Sequence, residues 1–204
     1  MKKLYLTSCK NITDVSMLGN VKELKLSGCI GIRNVSGLEN VENLDLSYID
    51  TYIDLNPLRN VKKLKLSRCY NITDVSMLGN VEELDLSHCC EITDVSALTN
   101  VKKLNLSGCK KITDVSSLGN CVDLDLSNCE KIYDVSMLGN VKKLKLSGCY
   151  EIRDVSMLGN CEELYINYCK GVKDVSMLGN VKKLYLWKCS KDIDTSMLFN
   201  IISS

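Results

Sequence analysis

A twenty-residue period runs along the whole chain. Val or Cys stands at 21, 41, 61, 81, 101, 121, 141, 161 and 181, and Met1 has the same phase. The 204 residues divide into ten units starting at 1, 21, 41, 61, 81, 101, 121, 141, 161 and 181, with a tail at 201–204. Such a period constrains the fold more than composition does. A unit this short cannot bury its own apolar face and must stack on its neighbours. One array over 1–200 is expected, with no internal domain boundary.

Within a unit the apolar residues fall at positions 1, 4, 6, 9, 12, 15 and 18, for example Val141, Leu144, Leu146, Cys149, Ile152, Val155 and Leu158. Alternation of 4 and 6 predicts a short strand with one buried face. The steps of three that follow predict either 3₁₀ turns or an extended, polyproline-like path. Asp at position 14 (Asn34 in the second unit) is placed to cap the free N–H groups of the return turn. Asn closes all ten units and is suited to bonding local backbone. Gly at position 19 in six units predicts a bend with positive φ. The third unit departs most: Ile49 stands in place of Cys, Tyr52 and Ile53 disturb position 12, and Pro57 is the sole proline. It keeps twenty residues, so a continuous solenoid with a reshaped return is expected there.

The recurring string LxLSxCxxITDVSxLxN resembles the leucine-rich repeat, whose L-x-x-L-x-L-x-x-N/C-x-L core falls on positions 1 to 12. Its Cys resembles the cysteine-containing branch, including arrays attached to F-box proteins, and the short DVSML return is similar to internalin repeats. As a whole the sequence is similar to short-repeat proteins of large DNA viruses and protists. The resemblance implies an α/β-type solenoid, mostly β: a right-handed superhelix with one curved parallel sheet of about ten strands and short 3₁₀ or irregular returns. It also implies a non-enzymatic scaffold for protein partners, whose identity depends on the surface and not on the fold.

Twelve cysteines would ordinarily prompt a search for chemistry. Nine of them, Cys9, Cys29, Cys69, Cys89, Cys109, Cys129, Cys149, Cys169 and Cys189, occupy position 9. Stacking would set them about 4.8 Å apart in an internal column, each S–H able to satisfy a carbonyl in the bend. Parallel side chains neither converge on a tetrahedral metal nor meet the dihedral of a disulfide, so no metal or cofactor is expected. Cys121 and Cys161 replace Val in the core, and Cys90 is the outward thiol best placed for modification. Free thiols suit a reducing compartment, and no apolar signal core follows Lys2 and Lys3, so a cytoplasmic protein is expected.

Basic and acidic residues balance at 26 against 25, which argues against a nucleic-acid binder, and no apolar run is long enough for a membrane helix. No phosphate loop, zincin motif or catalytic triad is present; the lone His88 and the Asp column have simpler explanations, and no enzyme is expected. Positions 2, 3, 5, 7 and 8 are expected on the concave face. Charges there alternate by unit, Lys62, Lys63 and Lys65 beside Glu82, Glu83 and Asp85, as a register ladder would. The expected protein-binding residues are Tyr165, Tyr168, Tyr185 and Trp187, flanked by Lys188, with a smaller cluster of Tyr48, Arg68 and His88. A methionine stripe at position 17 (Met17, Met77, Met137, Met157, Met177 and Met197) is expected to pack between successive return turns. The first coil has an open strand edge, whereas the altered last unit (Asp192, Ile193, Thr195, Phe199) and Ile201 and Ile202 suggest a minimal cover. Self-association into a homo-oligomer through uncapped end units is the alternative function.

Overall fold

A computed structural model describes residues 2–190 together with 193, 195, 196, 198 and 202. Met1, Asp192, Asp194, Met197, Phe199 and Ile201 lie outside the described residues. Each unit contributes one three-residue strand: β1 Lys3–Tyr5, β2 Glu23–Lys25, β3 Asn43–Asp45, β4 Lys63–Lys65, β5 Glu83–Asp85, β6 Lys103–Asn105, β7 Asp123–Asp125, β8 Lys143–Lys145, β9 Glu163–Tyr165 and β10 Lys183–Tyr185. They form one curved, open, all-parallel sheet in sequence order, and each residue pairs with its equivalent twenty positions on. The ladder continues past the strands: Leu126 N–H donates to the Lys145 carbonyl and Asn128 N–H to that of Ser147, both at 2.8 Å.

The steps of three become two hydrogen-bonded corners. Cys129 N–H donates to Leu126 O at 3.1 Å and Ile132 N–H to Cys129 O at 3.4 Å, closing the first. Leu158 N–H donates to Val155 O at 3.0 Å and Cys161 N–H to Leu158 O at 3.1 Å, closing the second. The second corner is a 3₁₀ turn in seven units, such as Ser136–Leu138 and Ser156–Leu158. Between the corners positions 12–15 take no regular secondary structure, and of the two paths predicted from the spacing the 3₁₀ turn is the one observed. The side chain at position 14 accepts the N–H of position 16 at about 2.9 Å, as in Asp114 to Ser116 and Asp134 to Ser136. Asn34 does the same for Ser36 at 2.8 Å.

The core is the stack of positions 1, 4, 6, 9, 12, 15 and 18, almost wholly removed from solvent through units 2 to 9. Full burial of a Leu, Ile or Val contributes about 1.5–3 kcal/mol over leaving it exposed. In the third unit Ile49 replaces the thiol, Tyr52 turns outward, and Ile53 and Leu55 fill the core instead. Pro57 sits in the first turn of the Asn56–Leu58 3₁₀ segment, where its missing N–H costs nothing. β1 is an edge strand of the sheet, and beside it Leu4, Leu6, Cys9, Ile12 and Leu18 are only half-buried. At the other end Ile202 N–H donates to the Leu184 carbonyl of β10 at 2.8 Å, covering part of that edge.

Two expectations are corrected. The glycines at position 19 do not have positive φ: Gly139 and Gly159 are at −61°. Five of them instead make a close approach to the next unit: a Cβ on Gly139 or Gly159 would stand 2.5 Å from the carbonyl oxygen of Met157 or Met177, whereas one on Gly179 would meet nothing within 4 Å. The methionine stripe does not pack between return turns. Met17 is 88 % exposed, and Met137, Met157 and Met177 are also more than half exposed, with only Met77 partly buried against the core.

Candidate functional site

The sheet face is built by residues flanking the buried leucines of β1–β10. Its charges form cross-strand pairs. Glu83 accepts Lys63 at 3.0 Å and Lys103 at 2.9 Å, Glu163 accepts Lys183 at 2.6 Å, and Asp125 accepts Lys145 at 2.9 Å. Lys103 and Lys63, in that order, hold the Glu83 carboxyl below its usual range, and Lys183 does the same for Glu163. The pairs of Glu83 and Asp125 line a shallow depression over β4–β8. Position 5 has a second task. Asp45, Asp85, Asp125 and Asn105 each accept the N–H of position 7 at 3.0 Å, bracing the bend that ends the strand. Position 7 is itself largely covered in units 2 to 9 (Ser47 and Ser87 are buried), so it is not the open concave position expected; Thr7 and Trp187, in the end units, are exposed.

Position 8 follows, and all ten units place it in the left-handed region, with φ between 51° and 77°. Gly28, Gly108 and Gly148 take this conformation freely, and Asn128 and Ser8 are small. Tyr48, Arg68, His88, Tyr168 and Lys188 are not, and a bulky residue there costs about 1–2 kcal/mol relative to glycine. The side chains lean toward the next unit: a Cβ on Gly108 would meet His88 Nδ1 at 2.5 Å, and one on Gly148 would meet Asn128 Oδ1 at 2.5 Å.

The expected binding residues resolve into three groups. Tyr165 and Tyr185 stack face to face on β9 and β10, centroids 4.0 Å apart and planes within 4°. Burial and the neighbouring Tyr185 ring raise the Tyr165 phenol above its ordinary value. Tyr168 and Trp187 meet edge to face at 5.2 Å, and Lys188 Nζ lies 4.2 Å from the Trp187 ring and 5.7 Å from that of Tyr168. Arg68 sits 5.7 Å from the Tyr48 ring, with His88 next in the row. Tyr48, Tyr168 and Trp187 are 53 %, 38 % and 43 % exposed. Among the described residues none of Arg68, His88 and Lys188 has a carboxylate within ion-pair distance, unlike Lys63, Lys103, Lys145 and Lys183 on the sheet face.

The thiols form a ladder linking units. Cys149 Sγ lies 3.1 Å from the carbonyl of Leu126, Cys169 Sγ 3.1 Å from Leu146, and Cys109 Sγ 3.2 Å from Leu86. Each of these carbonyls also accepts the N–H of its own unit's position 9, so strand end, bend and neighbouring thiol meet at one oxygen. Burial pushes Cys109, Cys149 and Cys169 up to about 12 and Cys121 and Cys161 up to about 11. Such thiols stay protonated and unreactive at neutral pH. Cys90 is partly exposed, its Sγ 3.4 Å from the carbonyl of His88 and 3.7 Å from that of Gly108. No group of three or more His, Cys, Asp or Glu able to hold a metal occurs among the described residues.

A model for leucine-rich repeats in two copies matches residues 79–120. Among solved structures, an internalin C2 from Listeria monocytogenes is 27 % identical, aligned over 76 % of each chain with a TM-score of 0.59. A second internalin from that organism is 20 % identical over 90 % of this chain and 70 % of that one, with a TM-score of 0.55. No curated protein matches the chain.

Proposed function

We propose that this chain, which is a leucine-rich-repeat, internalin-like protein, is a non-enzymatic scaffold that captures a protein partner on the concave side of its sheet. Leucine-rich-repeat proteins generally act as protein-interaction scaffolds. The observation that carries the proposal is the packed set of rings at the C-terminal end: the half-buried Tyr165–Tyr185 stack and the exposed Tyr168–Trp187–Lys188 group. Rigid aromatics with an adjoining cation are the usual composition of an interface hot spot. The central face, by contrast, has most of its charge cancelled by cross-strand pairs and offers little field for steering a ligand. That balance also disfavours nucleic acid, and the chain's free thiols suit a cytoplasmic setting.

Replacing Tyr165, Tyr168, Tyr185 and Trp187 with Ala is expected to abolish partner capture while circular dichroism shows the array folded. Unchanged capture by the folded variant would refute the proposal. A second reading, self-association through an end unit, is favoured by half-buried Leu4, Leu6 and Ile12 beside the edge strand β1. Sedimentation that shows a strict monomer up to high micromolar concentration rules that reading out.

A further inference from the structure

Position 8 is where the backbone requires a left-handed residue, and glycine in three units shows what satisfies it at least cost. Five units instead hold Tyr48, Arg68, His88, Tyr168 and Lys188 there. Their mutual contacts are weak and exposed: one cation–ring approach at 5.7 Å in the first group, and one edge-to-face ring pair with Lys188 above it in the second. Bulky residues held in this conformation without a matching gain in core packing point to a role outside stability. Arg68 and Lys188 are also cations without a carboxylate partner among the described residues. The row therefore holds strain and unmatched positive charge together in two places, separated by small residues at Gly108, Asn128 and Gly148.

We infer that this left-handed corner row is a recognition rail, and that it takes an acidic, extended peptide segment lying along the solenoid axis, with one end on Tyr48–Arg68–His88 and the other on Tyr168–Trp187–Lys188. His88 and Tyr168 are four strand spacings apart, about 19 Å at about 4.8 Å per strand. An extended chain rises about 3.3 Å per residue, so about six residues span the gap. Carboxylates at both ends would answer the cations, and the rings would cover apolar or aromatic side chains beside them. The inference rests on the protein-scaffold reading and names its ligand class.

The test uses the full chain and labelled synthetic peptides carrying two Glu pairs separated by six Gly/Ser residues, by two such residues, or with Lys in place of Glu. Anisotropy is expected to show saturable binding of the six-residue spacer that weakens with added salt. The short spacer binds about tenfold more weakly because it cannot engage both ends at once. Emission from Trp187, the sole tryptophan, shifts on binding. Arg68→Gly and Lys188→Gly each weaken binding about tenfold while melting no lower than the parent, because glycine relieves the left-handed strain. Binding that is absent, indifferent to spacer, or equally strong for the Lys peptide overturns the inference. So does a lower melting temperature in both glycine variants, which marks the residues as structural. If a captured partner survives both glycine variants but is lost on Tyr165→Ala with Tyr185→Ala, the rail falls and the concave-face scaffold stands.

Discussion

The thiol ladder makes the chain unusually vulnerable to alkali, and the size of the effect follows from the structure. Eight cysteines, Cys69, Cys89, Cys109, Cys121, Cys129, Cys149, Cys161 and Cys169, are held well above their ordinary value of 9.0, in every case chiefly by burial. Folded-state values raised above the unfolded one contribute stability that is complete below pH 9 and is lost as pH rises toward the folded values. The unfolded chain releases protons that the folded chain retains. Between pH 8 and 9.5 each such thiol removes about 0.8 kcal/mol, and eight together about 6 kcal/mol. Domains of this kind are stable by about 5–15 kcal/mol in all. Lys103 and Lys183 of the charge ladder stay outside this window, since Glu83 and Glu163 raise them from 10.5. Urea unfolding followed by circular dichroism, at pH 7, 8, 9 and 9.5 with a phosphine reductant, measures the loss. A variant carrying Cys129→Ala and Cys149→Ala starts less stable but should lose about a quarter less over the same interval, having six such thiols instead of eight. A parent protein that loses less than about 2 kcal/mol between pH 8 and 9.5 would refute the reasoning.

Other expectations concern the corners and the face. Gly139→Ala brings a Cβ to 2.5 Å from the Met157 carbonyl and should cost about 1–3 kcal/mol in urea unfolding, although its φ of −61° suits alanine. Asp154→Ala removes the acceptor for Ser156 N–H and should lower the melting temperature, whereas Asp154→Asn should lower it much less, as Asn34 already fills the role. That N–H holds the Asp154 carboxyl below 3.8, so its contribution is present at neutral pH and fades as pH falls through its folded value; thermal melts from pH 6 to 2 should show the slope shrink in Asp154→Asn. Glu83→Lys would leave three lysines in register on β4, β5 and β6 and should cost about 1 kcal/mol, an effect that added salt reduces.

The period and the apolar positions made the strand order, the core column and the thiol column legible before any coordinates, because each follows from stacking equal units. Position 14 was legible for the same reason: a short acceptor recurs just before a turn that leaves N–H groups free. What failed was inference from glycine. Position 19, glycine-rich, suggested positive φ, but at Gly19, Gly79, Gly119, Gly139 and Gly159 the constraint is the next unit's carbonyl, a contact between units that one unit cannot reveal. Position 8 carries the positive φ, and its signal was fainter: glycine in three units, with Ser and Asn, among aromatics and cations. The exposed methionines were misjudged because an apolar residue was taken as a buried one: position 17 lies within the 3₁₀ turn but falls between the core positions 15 and 18 and stays open to solvent. Tyr165 and Tyr185 were correctly placed side by side by register alone; the edge-to-face geometry of Tyr168 and Trp187 depended on the left-handed corner and could not be read from spacing.

Each carbonyl in the ladder is shared by only two adjacent units, and this makes the thiols local gauges. Cys149 becomes available to a labelling reagent only when its own unit parts from one beside it, not when a distant unit opens. The half-buried Cys9 and Cys189 mark the two ends, and the order in which the cysteines between them react would record, rung by rung, how far fraying has travelled inward.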